Sequence, residues 1–159
     1  MNQPQPIIDT SSLASRDDNL PLALVGGLVA AAVGAALWAI ITVATGWQIG
    51  WMAVGVGLLV GFTIRKLGNG RTLVFGILGA GFALAGCLAG NVMSEVGYFA
   101  HESAAQFFAA LSTLTPEDTV TILVHGFHPI DLLFYGFAVY EGFRISIVPA
   151  PQPQAPPAA

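Results

Sequence analysis

A run of 45 residues, from Leu20 to Ile64, contains no ionisable side chain. A transmembrane helix needs about 20 consecutive apolar residues, so this run is long enough for two of them. Only 9% of the whole chain is charged, against roughly 25% in soluble domains, and this leaves too few charges to cover a water-facing surface. The sequence therefore predicts an integral membrane protein.

The turn between the first two spans is expected at residues 45–50, where two glycines break the helix and neighbouring tryptophans suit the headgroup region. The predicted spans are then 21–44 and 48–66. Arg65, Lys66 and Arg71 are expected in a basic hairpin loop at the end of the second span, and the uncharged run at 72–94 predicts a third span.

The fourth predicted span, residues 130–148, is interrupted by three charged side chains. Its length is roughly 28 Å, which is just enough for the hydrocarbon core. A competing register, residues 119–140, would bury two histidines and Pro129. We prefer the later register, because Pro129 suits the first turn of a helix and Asp131 complements the positive end of its dipole.

Residues 95–129, between the third and fourth predicted spans, have the pattern of two short amphipathic helices. An apolar stripe from Ala100 to Leu111 indicates the first. Thr115 as the cap and Pro116 as the first helical residue mark the start of the second, which is expected to lie along the membrane surface. The predicted fold is therefore all-α, an integral membrane bundle of four transmembrane helices with two short amphipathic helices between the third and fourth.

The basic residues predict the orientation, because Lys and Arg stay on the cytoplasmic side of a membrane protein. With four spans and cytoplasmic N- and C-termini, all five fall at or near the inner face: Arg16, Arg65, Lys66, Arg71 and Arg144. The segment 95–129 has no Lys or Arg and is expected outside the cytoplasm.

The two tails, residues 1–19 and 149–159, are expected to be disordered. The first lacks the basic start of a signal peptide, so the first span is expected to be retained. The second contains five of the ten prolines, which prevents a continuous helix. A simple overhang is preferred there to a proline-rich docking ligand.

Small residues recur at spacings of three and four along the first three predicted spans. In lipid, such residues let helix backbones approach closely and drive helix association. The candidate packing glycines are Gly27, Gly34, Gly57, Gly61, Gly76, Gly79, Gly86 and Gly90. Packing within one chain is preferred to the alternative interpretation, a self-associating pore or a sliding transporter interface.

Glu141 and Arg144 form a candidate charge pair inside the fourth predicted span. Glu141 is expected near mid-membrane, about 15 Å deeper than Asp131. A lone carboxylate there is costly, and Arg144, one helical turn away, could neutralise it. We favour a structural ion pair over the alternative of a proton or cation relay.

His125 and His128, three residues apart, are weak candidates for a metal site. Zinc and copper use imidazole and carboxylate ligands, and Asp131, His101 and Glu102 lie near in sequence. A solvated polar face is the preferred interpretation, and pH sensing is a related alternative. No metal or other cofactor is therefore expected.

Two segments carry a resemblance to known sequences. They are Gly-Trp-Gln-Ile-Gly-Trp-Met-Ala-Val-Gly-Val-Gly at 46–57 and Asp-Leu-Leu-Phe-Tyr-Gly-Phe-Ala-Val-Tyr-Glu-Gly at 131–142. Over roughly residues 20–148 the chain resembles an uncharacterised family of small bacterial multi-pass membrane proteins with no assigned activity. The resemblance implies a bacterial inner-membrane location and no particular substrate.

No phosphate-binding loop, catalytic carboxylate pair or nucleophile arrangement occurs in a suitable context, so an enzyme is not expected. The net charge of −4 also argues against binding to nucleic acid. The leading hypothesis is an interaction or accessory subunit, whose partners are the lipid bilayer and a membrane protein or a second copy of the chain. The alternative is a small oligomeric channel or transporter component that uses Glu141 and Arg144.

Overall fold

The computed structural model describes residues 18–48, 50–100 and 103–149, so nearly all of both predicted tails lies outside it. Within these ranges the chain is all-α and contains no strand. It forms six helices: α1 (Leu20–Thr45), α2 (Trp51–Gly68), α3 (Leu73–Phe99), α4 (Ala104–Thr113), α5 (Pro116–Gly126) and α6 (Pro129–Ser146).

Three of these helices, α1, α2 and α3, are long and apolar enough to cross a membrane. A fourth candidate span is obtained only if α5 and α6 are counted together, and these two helices meet at a bend of 107°. The described residues therefore contain three to four candidate membrane spans, which supports a location in a membrane.

The four long helices form one bundle in which α2 and α3 are central. Both α1 and α6 pack against α2 and α3, but α1 and α6 lie on opposite sides and do not touch within the described residues. Along α1, Gly27 faces Ile64 of α2 whereas Gly34 faces Val56, so α1 and α2 run antiparallel. The contacts of α6 show that it runs antiparallel to α3.

Local sequence signals explain where the helices begin and end. The side chain of Asn19 caps α1 by accepting a hydrogen bond from the Leu22 N–H at 3.0 Å. Gly46 ends α1 in the left-handed region with φ of 71°, which glycine adopts without steric cost. Thr115 and Pro116 begin α5, as the sequence predicts, and Thr115 forms a capping box with Asp118.

Several helix boundaries differ from the sequence-based expectation, and α2 begins at Trp51 rather than at residue 48. α3 continues to Phe99, five residues beyond the predicted end, because residues 95–99 remain packed on α1. There the Tyr98 hydroxyl donates to the Thr42 carbonyl at 3.1 Å. The expected stripe that began at Ala100 therefore starts only at α4. Similarly, α2 extends to Gly68, so two basic residues predicted in a loop lie in its last turn, where they complement the helix dipole.

The eight candidate packing glycines are all buried in the bundle. Several of them touch a neighbouring backbone, as Gly57 does: a Cβ atom there would lie 2.5 Å from the Ala138 carbonyl oxygen of α6. Gly86 likewise meets α1, at 3.2 Å from the Ala31 carbonyl oxygen. Small residues thus set the spacing between helices, as expected where apolar side chains gain little by leaving lipid.

The short helices α4 and α5 lie outside this bundle. Neither has a buried residue, and within the described residues each packs against α3 alone. They leave the bundle at the end where α1 and α3 finish and α6 begins.

Candidate functional site

A chain of polar side chains crosses the bundle at the end that carries α4 and α5. The side-chain amide of Gln48, in the loop between α1 and α2, donates to the Asn91 side-chain oxygen at 2.9 Å. The Asn91 amide in turn donates to the hydroxyl oxygen of Tyr135. Asn91 and Tyr135 are buried. The buried Asn91 amide is therefore satisfied by hydrogen bonds that connect the α1–α2 loop, α3 and α6.

Asp131 lies one helical turn before Tyr135 and is only 6% exposed. One carboxylate oxygen, Oδ2, accepts a hydrogen bond from the His128 N–H at 2.8 Å and so caps the start of α6. The other oxygen, Oδ1, has no hydrogen-bond partner among the residues that the structure describes. The only ion pair in the described ranges joins Asp131 to the exposed imidazole of His128, at 4.0 Å.

Asp131 lines a cavity of about 290 Å³ between the α1–α2 loop and the start of α6. Its polar wall is made by Asp131, Gln48 and His128. The other described residues that line it are Gly50, Ile130 and Phe134. We refer to this space as the Asp131 cavity.

The aromatic side of the Asp131 cavity is held by contacts between α2 and α6. The rings of Trp51 and Phe134 are 5.8 Å apart between centroids and inclined at 58°. Any side chain on Gly50 would collide with the Phe134 ring, so the glycine allows Phe134 to close this wall. The cavity thus places a buried carboxylate opposite an apolar and aromatic surface.

A second, wider groove of about 610 Å³ lies between α1, α3 and α4. Its walls are mainly alanine and larger apolar side chains, among them Ile40, Met93 and Phe108. It opens on the same end of the bundle as the Asp131 cavity, and none of the described residues that line it is charged.

The expected pair of Glu141 and Arg144 does not form. No ion pair joins these two side chains in the described part of the chain, although they are one turn apart on α6. Arg144 is exposed and Glu141 is half-buried, so neither side chain is confined against the other. A spacing of three residues permits such an ion pair, but a pair of this kind stabilises a helix by only about 0.2–0.5 kcal/mol.

The two histidines are not on one helical face, because α5 ends at Gly126 and α6 begins at Pro129. His125 lies on α5, and its ring nitrogen Nδ1 is 2.9 Å from the Thr121 carbonyl oxygen. His128 is extended, as expected for a residue before proline, and precedes α6. Within the described residues no group of three metal-ligating side chains occurs. His101 and Glu102, the other expected ligands, lie outside the described residues.

Sequence reasoning missed Asn91 and Gln48. A usable signal was present, because Asn91 is the only amide in the uncharged run 72–94. A buried amide in an apolar helix requires a partner. Its partners are separated from it by more than 40 residues, so no local pattern identifies them.

Comparison with protein-family models finds no match to this chain, and no curated protein or solved structure matches it.

Proposed function

We propose that the protein is a four-span inner-membrane protein that acts as an interaction or accessory subunit. In this proposal α1, α2, α3 and α6 cross the bacterial inner membrane, and both termini are cytoplasmic. The helices α4 and α5 then lie on the outer side, where they meet a partner.

The packing of α6 supports its assignment as the fourth span. It lies beside α2 over most of its length, with Phe134 next to Gly50, Ala138 next to Gly57, and Ile145 next to Gly61. If α2 crosses the membrane, a helix that follows it at the same depth crosses as well. The length of α6, 18 residues or about 27 Å, is sufficient for this.

The observation that carries the accessory role is the exposure of α4 and α5. Neither helix has a buried residue, and α5 leaves two valines uncovered, Val120 at 59% and Val124 at 68%. Apolar side chains grouped on a helix outside the core mark a surface that contacts another protein or the membrane.

Charge around these helices indicates the chemistry of the partner. Residues 95–129 include four carboxylates, Glu95, Glu102, Glu117 and Asp118, and no Lys or Arg. A partner with basic side chains beside an apolar surface is complementary to this segment.

Photo-crosslinking in cells tests the proposed interaction. A photo-reactive amino acid at Val120 or Val124 is expected to give an adduct of defined mass with one protein. An adduct at twice the mass of the chain would identify the partner as a second copy.

Ile77 of α3 provides a matched control, because it is 61% exposed but lies on a proposed membrane-facing surface. The same reagent there is expected to give lipid adducts without a defined protein band. Lipid adducts alone at Val120 and Val124 would contradict the accessory role, because α5 would then simply rest on the membrane.

A further inference from the structure

We propose that the Asp131 cavity binds a small primary ammonium compound, with the carboxylate of Asp131 as its counter-ion. This inference concerns a ligand site at the start of α6 and does not depend on the protein partner proposed above.

The first argument is the incomplete pairing of a buried charge. Asp131 is 6% exposed, and capping uses only its oxygen Oδ2. The single ion pair of this carboxylate in the described part of the chain, with the exposed His128 imidazole at 4.0 Å, also involves Oδ2, so Oδ1 has no partner there. Burying a carboxylate is costly unless it is paired and hydrogen-bonded, so a bound cation would complete the site.

The second argument is the composition of the cavity wall. An ammonium group donates three hydrogen bonds, and the free oxygen of Asp131 is an acceptor. Ile130 and Phe134 provide an apolar and aromatic surface for a short alkyl chain beside the ammonium group. The volume, about 290 Å³, is close to the lower limit of about 300 Å³ for ligand pockets, and therefore indicates a small molecule.

Other ligand classes fit this wall less well. Calcium takes six to eight oxygen ligands, commonly from several carboxylates, whereas the described residues that line the cavity offer one carboxylate. An anion would be repelled by Asp131 and would meet no Lys or Arg among those lining residues. A monovalent organic cation is the remaining class that uses both the charged and the apolar walls.

Asp118 offers a matched control for Asp131. Both aspartates occupy the third position of a helix and close a capping box, but Asp118 is fully exposed and lines no cavity described above. Asp131→Asn removes the charge while keeping an oxygen that can still cap α6. Asp118→Asn makes the same chemical change away from the cavity.

Binding is measured with the full chain in lipid nanodiscs, by thermal unfolding and by fluorescence of tryptophan, since Trp51 contacts Phe134. Propylammonium chloride is expected to raise Tm saturably, and sodium chloride at equal ionic strength is not. Affinity is expected to fall at least about tenfold in Asp131→Asn, the loss of a charged hydrogen bond, and to be unchanged in Asp118→Asn.

A second measurement avoids reliance on a variant that folds poorly. Dicyclohexylcarbodiimide modifies carboxyl groups in apolar surroundings, and mass spectrometry locates the adduct. Propylammonium is expected to slow the total loss of the unmodified Asp131 carboxyl in the unmutated protein, counting both the carbodiimide adduct and the propylamide that the activated carboxyl forms with the amine. The rate of loss at Glu141 is expected to be the same with and without propylammonium. The proposal would be overturned if the rise in Tm did not saturate or if sodium chloride raised Tm equally. It would also be overturned if Asp131→Asn bound propylammonium with the same affinity, or if propylammonium did not protect Asp131 from modification.

Discussion

Gly79 of α3 and Gly142 of α6 bring two helix backbones into direct contact. A Cβ atom on Gly142 would lie 2.6 Å from the Gly79 carbonyl oxygen, and a Cβ atom on Gly79 would collide with the Gly142 carbonyl oxygen. Because both obstacles are backbone atoms, a side chain at either position must push the helices apart. The interface between α3 and α6 therefore depends on this pair.

Gly79→Ala is expected to destabilise the bundle by about 1–3 kcal/mol, because overpacking forces backbone shifts. The free energy of unfolding in mixed detergent micelles measures this. Gly81→Ala on the same helix is the control, since nothing lies within 4 Å of its Cβ position. It is expected to change stability by no more than about 1 kcal/mol. Equal losses in both variants would contradict the close contact.

Tyr135→Phe is expected to cost about 1–3 kcal/mol of unfolding free energy, because it leaves the buried Asn91 amide without the acceptor it uses. Tyr140→Phe removes the same hydroxyl from a side chain that is 55% exposed, and a change within about 0.5 kcal/mol is expected. The free energy of unfolding of both variants, measured under identical conditions, tests this difference. Equal losses in the two variants would show that the hydrogen bond between Asn91 and Tyr135 contributes nothing to stability.

The parts of the fold that were predictable from sequence are those set by local chemistry. Long uncharged runs predict α1, α2 and α3, and the order of Thr115, Pro116 and two acids predicts the start of α5. The path of α3 beyond Ser94 depends on its packing against α1. The Asp131 cavity joins Gln48 and Gly50 to residues of 128–134, and such distant pairs leave no periodic signal in one sequence.

The charge on Asp118 is expected to make the start of α5 sensitive to acid. Hydrogen bonds from the Thr115 hydroxyl at 2.7 Å and the Thr115 N–H at 3.0 Å hold the pKa of Asp118 below its ordinary value of 3.8. A lowered pKa in the folded state stabilises the helix at pH values above 3.8, and this contribution is lost as the pH falls through the lowered value.

Hydrogen exchange of α5 amides, corrected for the intrinsic effect of pH, measures this loss. Protection is expected to stay constant above pH 3.8 and to decrease below it. In Asp118→Asn this decrease in protection is expected to disappear. If the variant shows the same decrease, the titration of another group is responsible for it.

Glu141 and Arg144 are expected to act independently on stability, because they form no ion pair in the described residues. A cycle of Glu141→Gln, Arg144→Gln and the double variant measures their coupling in unfolding free energy. The expected value is within about 0.5 kcal/mol of zero. Coupling of several kcal/mol would support the hypothesis of a structural ion pair.

Loss of ion conductance in liposomes with Glu141→Gln, at normal protein level, would instead support the alternative hypothesis of a channel.

The proposed topology predicts opposite labelling of two exposed positions. In a Cys87→Ala background, Ser112→Cys on α4 is expected to react with a membrane-impermeant maleimide in cells whose outer membrane is permeabilised. Arg71→Cys, in the loop between α2 and α3, is expected to react only after the inner membrane is disrupted. The reverse pattern would place α4 and α5 in the cytoplasm.

The loop between α2 and α3 receives a backbone hydrogen bond from each end of the described bundle. The Asn19 N–H donates to the Gly68 carbonyl at 2.8 Å, and the Val148 N–H donates to the Gly70 carbonyl at 2.9 Å. Asn19 and Val148, which flank α1 and α6, are therefore bound to the same loop, although α1 and α6 do not pack against each other. A short linker could join Asn19 to Val148 in a circular permutant. The new termini of such a permutant should not be placed in the loop at 68–70, because that loop accepts both hydrogen bonds.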